Sequence, residues 1–519
     1  MLRIFLSYAA VILIICISGF SFLGENDDWV LWYFLKNGVT DTLILSKPLS
    51  ILISKLYKIF PTVQWYSVLI VSYLIIISLL ISYYVSKIKD KRIKFISFLL
   101  GLLVIVHFLM NITVTELTLL FIIFSLPMIK INHSLFWILF LLASLLRVEM
   151  IAGLIPLFLP AYLIFFNKKN ISVKQALFIG GILSLIGYNF AVSSVFVNQD
   201  YKEWLKFVKA RAYFMDLHGE DNKNILSADE KFVNKTWWAQ DDILLPTEKV
   251  IKAANFSSLN IVINSYKNLN LSHLITILIR YKLLIFLFLI TLWLIYKEKN
   301  KYNKILYILL TAAMTTLIIA RDMERVAYPI TVMWAFLIFL KFYEMDKKEF
   351  LTKFLYLSFI ILFAESSLNR LYRHSTKEEL KKEAVTLMAK HPLYYYELSL
   401  GFPRSFGLLS MIIIQNHLFD EKNWLSLEKN KILLSGWISR HPFFYKSHDI
   451  SFKNEKRKYK NYYEYLIDDH TAFIGTKEIN GNLNRKMLSL YDKKYDGYHT
   501  IKVLDESKHF TLTQVIKIE

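Results

Sequence analysis

Two carboxylates stand side by side where the first apolar block gives way to polar sequence, in Gly24-Glu25-Asn26-Asp27-Asp28-Trp29. A carboxylate at such a boundary can take the proton from an acceptor hydroxyl, or hold a divalent cation that offsets phosphate charge. The same pair has a plainer use, as the cap of a helix starting near Trp29. Arginines supply the complementary chemistry. Arg147 and Glu149 interrupt the apolar stretch from Leu145 to Leu154. Ionisable groups at that depth are costly and face a protein interior or a water-filled cavity. Residues two apart point to different sides of a helix, so the two do not form a natural pair along one helix. Arg321 and Arg325 flank Asp322 and Glu324 ahead of Tyr328-Pro329. On a helix these arginines share a face, which is unfavourable unless an anion such as phosphate lies between them. An Asp322 to Arg325 pair that steadies the turn is the alternative.

A further cluster opens at Tyr201. Trp204, Phe207, Val208 and Met215 form an apolar stripe, with Lys202, Lys206 and Lys209 opposite, the pattern of a helix lying on anionic lipid. Arg211 falls on the apolar stripe, so it is expected to enter the membrane surface or a protein pocket, and Asp216 and His218 follow directly. Trp237, Trp238, Asp241 and Asp242 combine stacking and hydrogen-bonding groups suited to a sugar, although interfacial tryptophans also serve as anchors. Glu116 is a lesser candidate, and His107 reads as a helix–helix contact. No Walker, Rossmann, zinc or Ser-His-Asp spacing occurs, so a divalent cation is the only cofactor these residues suggest. The single cysteine, Cys16, allows neither an intramolecular disulfide nor a thiolate cluster.

Composition dictates what must position these groups. A chain of 519 residues that is 55% hydrophobic, with mean hydropathy +0.39, is too apolar for an ordinary soluble domain. The expected architecture is an all-α polytopic membrane protein with about 11 transmembrane helices. They are expected over 2–23, 65–85, 95–111, 114–129, 134–148, 150–166, 175–197, 274–296, 305–320, 329–343 and 354–368. The net charge of +20 does not point to nucleic acid, because the basic residues lie in short clusters between apolar blocks. Those around Lys87, Lys130, Lys168, Lys297 and Lys347 all fall on the side of Arg3, which the positive-inside rule makes cytoplasmic. Residues 1–368 then form the membrane domain, with outer loops 24–64 and 198–273. Residues 369–519 form an extracytoplasmic α/β domain. Its apolar run Phe406 to Ile414 is too short to span and should be a buried helix. Its end, His499 to Leu504 and His509 to Ile518, should be a hairpin.

The chain resembles the lipid-linked-sugar-dependent membrane glycosyltransferases of the GT-C class, through its acidic pair Asn26-Asp27-Asp28-Trp29 after the first span and a first loop with amphipathic segments over Lys47 to Phe60. It is also similar to bacterial membrane proteins of surface-polysaccharide loci, through Pro61 to Tyr66, through Ala210, Arg211 and Asp216, and through Gly436-Trp437. The resemblance implies a polyprenyl-phosphate-linked sugar as donor, a glycan or lipid-linked acceptor, membrane lipid as surroundings and Asp27 or Asp28 as the catalytic carboxylate. A polysaccharide polymerase and a non-enzymatic glycan transporter or assembly scaffold are the competing readings, and the long polar tail argues against the polymerase.

Overall fold

The computed structural model describes residues 1–17, 28–42, 44–109, 113–165, 173–215, 221, 225–235, 244–254, 282–320, 324–344, 348–363, 379–380, 382–391, 395–398, 432–433, 463–464, 467–476 and 484–518. The chain divides into two compact units: residues 1–197, 265–370 and 417–419 in the first, and residues 198–264, 371–416 and 420–519 in the second. The loop after residue 197 thus clusters with the tail.

In chain order the helices are α1 (Leu2–Ile17), α2 (Asp28–Lys36), α3 (Lys47–Ile59), α4 (Trp65–Lys87), α5 (Lys91–Leu109), α6 (Val114–Ser125), α7 (Met128–Ile131), α8 (His133–Phe165) and α9 (Val173–Phe190), which runs into a π-helical turn (Ala191–Val195). There follow α10 (Gln199–Met215), α11 (Ala228–Lys235), α12 (Thr247–Ala253), α13 (Lys282–Lys297), α14 (Lys301–Ala320), α15 (Glu324–Glu344), α16 (Lys348–Phe363) and α17 (Asn484–Tyr495).

The protein is mostly helical, and among the described residues four helices are long and apolar enough to cross a membrane: Trp65–Lys87, Lys91–Leu109, Ala176–Ser193 and Lys301–Ile319. Five shorter apolar helices accompany them among the described residues: Leu2–Ile17, Val114–Ser125, His133–Val148, Leu284–Lys297 and Ala327–Leu340. The described residues thus do not confirm eleven spans, and over 114–129 local chemistry ends the expected helix early. Pro127 follows Leu126, the C-cap of α6, so the apolar run beginning at Val114 yields twelve helical residues and then the single turn α7. Capping starts others on register. Thr113 and Glu116 form a reciprocal capping box for α6, and Asp90 Oδ1 accepts from the backbone N–H groups of Arg92 and Ile93 at the start of α5.

Within this unit α6 packs on α4, α8 and α15, while α1 lies against α4 and α5, and α16 lies against α5. Phe108, Phe121 and Phe136 are fully buried in these contacts. Hydroxyls inside the helices mostly turn back on their own main chain: Ser78 and Ser82 donate to Leu74 O and Ser78 O, Thr118 to Val114 O, and Thr291 to Leu287 O. That satisfies a buried donor without a charge.

The second unit holds α10, α11, α12, α17 and a five-stranded sheet. Its strands are β1 (Tyr395–Leu398), β2 (Ile432–Leu433), β3 (Thr471–Thr476), β4 (His499–Glu506) and β5 (Phe510–Lys517), in the order β2-β1-β3-β5-β4. β1 runs parallel to β2 and β3, whereas β3–β5 and β5–β4 are antiparallel. The expected hairpin is present, with Ile501 opposite Val515 and an irregularity between Val503 and Asp505. Ala472, Phe473 and Ile474 of β3 and Phe510, Leu512 and Val515 of β5 form its core. Residues 406–414 lie outside the described residues.

Candidate active site

The helical run through residues 133–165 is not continuous. Arg147 has φ −153° and ψ 90°, extended values that break α8 into two helices at the position where the sequence interrupts its apolar run with charge. A break removes the N–H donors of the following turn from the carbonyls before it. Side chains from three other helical segments donate to carbonyls in the last turns before the break. Asn189 Nδ2 of α9 donates to Ser144 O at 2.9 Å, Ser46 Oγ at the start of α3 donates to Leu145 O at 2.5 Å, and the Tyr73 hydroxyl of α4 donates to Leu142 O at 2.9 Å. Arg147, half-buried, donates through Nη1 to the hydroxyl of Thr115 in the first turn of α6.

The network extends outward from the break. Ser193 Oγ in the π-helical turn accepts from the Lys47 backbone N–H at 2.9 Å and donates to Asn189 Oδ1 at 3.4 Å. Lys47 Nζ pairs with Asp41 at 2.7 Å. Trp32 Nε1 of α2 donates to Gln64 Oε1 at the start of α4, at 2.8 Å, and the Lys36 ammonium lies 5.0 Å over the Trp32 ring. The starts of α3, α4 and α6 and the end of α9 therefore gather at one end of the unit, around the break.

Of the acidic pair, Asp28 lies in α2, one turn before Trp32. Asp27 lies outside the described residues, as do Asp216, His218, Trp237, Trp238, Asp241, Asp242 and Arg321. Glu149 and Arg325 lie in α8 and α15, and their side chains, like that of Asp28, are outside the description. Pro329 within α15 has no N–H to give the carbonyl of residue 325.

Two lesser candidates have structural duties. Glu116 is 1% exposed, and its Oε2 accepts from the Thr113 backbone N–H at 3.0 Å and the Thr113 hydroxyl at 3.2 Å, so the carboxylate is engaged in the α6 cap. His107 is buried edge-on against Tyr328 of α15, with ring centroids 5.1 Å apart, the helix contact its sequence setting suggested.

The surroundings expected for the α10 stripe require a correction. The stripe Tyr201, Trp204, Phe207, Val208 and Arg211 is buried, while Lys206 and Lys209 are exposed, as the helical spacing implies. The stripe does not lie on lipid, however: α10 packs against α11 and α12 of its own unit, so protein covers it. Arg211, 4% exposed, belongs to that interior. In the same unit, Glu230 of α11 pairs with Lys249 of α12 at 2.7 Å. Burial raises the Glu230 pKa, and hydrogen bonds from Lys249 and Ser227 outweigh that and hold it below the usual carboxylate range.

Sequence reasoning missed Thr115, Asn189, Ser46 and Ser193, which hold the break together. Asn189 alone carried a signal, as an amide inside an otherwise apolar helix. Among the described residues no three His, Cys, Asp or Glu side chains converge to hold a metal ion. Compared with protein-family models, with curated proteins and with solved structures, the chain matches none.

Proposed function

We propose that the chain is a glycosyltransferase of the bacterial cytoplasmic membrane. It moves a sugar from a polyprenyl-phosphate donor to a cell-envelope glycan or lipid-linked acceptor on the outer face. The observation that carries this reading is the break at Arg147, which sets a guanidinium among the ends of apolar helices beside a neutral hydroxyl. A cation at such a place is costly, and a phosphate that accepts from it offsets the cost.

The reading takes the apolar runs as eleven spans with a cytoplasmic N-terminus, on the distribution of Lys and Arg. In the reaction, Asp27 or Asp28 takes the proton of the acceptor hydroxyl as its oxygen attacks the anomeric carbon. The bond from that carbon to the phosphate oxygen breaks, and polyprenyl phosphate leaves. Arg147, Arg321 and Arg325 receive the phosphate charge through charge-assisted hydrogen bonds. Attack from the face opposite the phosphate inverts the anomeric centre.

Asparagine caps a helix about as well as aspartate. An Asp27→Asn, Asp28→Asn double variant should therefore insert and accumulate normally in cells yet form no glycan product. Product at the wild-type level would sink the catalytic assignment. Topology has its own test. In a Cys16→Ser background, an impermeant thiol reagent added outside should label Ile450→Cys and spare Lys89→Cys, and the opposite pattern would invert the orientation.

A further inference from the structure

At the far end of α4 from the Arg147 break, a cavity of about 100 Å³ lies between α4, α5, α15 and α16. Its wall is almost wholly carbon, with Ile81 and Ile88 of α4, Val104 of α5 and Phe336 of α15 among the lining residues. Ser97 of α5 and Ser358 of α16 also line it, 8% and 2% exposed. Their hydroxyls have no hydrogen-bond partner among the described residues, unlike Ser78, Ser82 and Thr118, which turn back on the carbonyl one turn earlier. Two buried hydroxyls left open on one cavity mark a place for a ligand that is mostly apolar and carries oxygen. Apart from these two hydroxyls the wall offers only that of Tyr84, already donated to Phe124 O, so most of a ligand's surface there must be apolar.

The turn from α4 to α5 carries the other half of the site. Lys87, Lys89, Lys91 and Arg92 are exposed, and none forms an ion pair with a described residue; the Lys87 ammonium lies 5.4 Å over the Tyr83 ring. The one carboxylate in the turn, Asp90, caps α5. Ser97 lies about 9 Å along α5 from Lys91, and Val104 about 20 Å, at 1.5 Å per residue. Cations at the mouth, a hydroxyl below them and a carbon-lined space deeper down follow the order of groups along a phospholipid.

We propose that this cavity binds an anionic phospholipid, with its phosphate on the α4–α5 turn, an ester oxygen at Ser97 and a hydrocarbon chain between the helices. Basic clusters at the ends of membrane helices attract anionic headgroups with about 1 kcal/mol per Lys or Arg. The site is separate from the proposed reaction centre and does not depend on it.

The test is native mass spectrometry of the full chain in detergent, titrated separately with phosphatidylglycerol, phosphatidylcholine of the same chains, and polyprenyl phosphate. Phosphatidylglycerol should be retained at least about tenfold more tightly than phosphatidylcholine. Replacing Lys87, Lys89, Lys91 and Arg92 together with Gln, a change confined to exposed side chains, should abolish that preference. Ala335→Trp, which fills the cavity from α15, should weaken retention of both phospholipids, and the smaller Ala335→Leu should act in the same direction. Equal retention of the two phospholipids, an unchanged preference in the Gln variant, or tight binding unaffected by both Ala335 variants would overturn the proposal. Tighter retention of polyprenyl phosphate than of phosphatidylglycerol would overturn it too, by making the cavity a donor site.

Discussion

The two units treat buried polar groups in opposite ways. In the helical unit most hydroxyls donate to a carbonyl one turn back on the same helix, as Ser78 and Ser82 do, so the bond forms with the helix and carries no charge. In the sheet unit the corresponding bonds join distant segments and use ionisable side chains. Asp492 of α17 accepts from the His499 backbone N–H at 2.9 Å and from the Tyr463 hydroxyl at 3.0 Å, and holds His499 Nδ1 at 2.7 Å. Glu383 similarly holds the His509 backbone N–H and Nδ1, and Asp505 meets Lys390 and His391. The contrast follows from solvent. A membrane-spanning helix must satisfy its own polar groups where no water can, whereas a sheet at a water-facing surface can recruit charge. Around the Arg147 break the helical unit behaves like the sheet unit, with several neighbouring carbonyls accepting from side chains far away in sequence. That departure is what marks the break as the candidate site.

The largest effect should come from Asp492→Ala. It leaves three donors in or near the sheet core without an acceptor, and each buried group left unsatisfied costs about 1–3 kcal/mol. Hydrogen exchange across residues 499–517 in the full chain should report a loss of about 3 kcal/mol. A loss below about 1 kcal/mol would mean that water readily replaces the carboxylate, ending the claim that this unit depends on long-range charged bonds.

Gly497→Ala comes next. A Cβ at that position would lie 2.0 Å from the Tyr463 hydroxyl oxygen and 2.7 Å from Asp492 Oδ1. Gly497 directly follows Asp496, which ends α17 in the left-handed region with φ 53°. Forcing the cluster apart should cost about 2 kcal/mol, as overpacking does elsewhere. The same exchange measurement applies, and wild-type protection at residue 499 would show that the cluster yields freely.

Acid should act on the sheet unit at a smaller scale. Burial raises the Glu383 pKa, but hydrogen bonds from Ser507 and from the side chain and backbone of His509 outweigh this and leave it lowered. The backbone N–H of Glu506, then Lys390, lowers that of Asp505. A carboxyl with a depressed folded pKa contributes its full stability above its unfolded value of about 4 and loses it as pH falls through the folded value. Wild type and Glu383→Gln should therefore differ in melting temperature at neutral pH and converge near pH 3, by about the measurement error. A constant difference across that range would remove the carboxylate from the account.

The smallest pair of effects sharpens the contrast inside the helical unit. Asn189→Ala strips the donor from Ser144 O at the break and should cost about 1 kcal/mol in detergent melting. Ser78→Ala should cost less than about 0.5 kcal/mol, because its carbonyl partner keeps its helical N–H. Equal costs would erase the distinction between the break and an ordinary turn.

Several local features were legible because they depend on neighbours in sequence. The hairpin follows from alternating β-branched residues around a charged turn, and the contact at His107 from a lone histidine in an apolar helix. The stripe on α10 was equally legible, yet its partner was read as lipid when it is α11 and α12. Periodicity specifies that a face is apolar and says nothing about what covers it.

The sequence by itself determined that this protein is dominated by apolar helices, that its basic residues cluster between them, and that charge falls at Arg147 within an apolar run. Only the tertiary structure decided that the chain breaks there and that Asn189 and Ser46 supply donors to the carbonyls just before it. The physical reason is range. Helix formation and capping are settled within a few residues, whereas a break in a buried helix persists only if its stranded carbonyls find donors, and those donors are brought by packing from far along the chain.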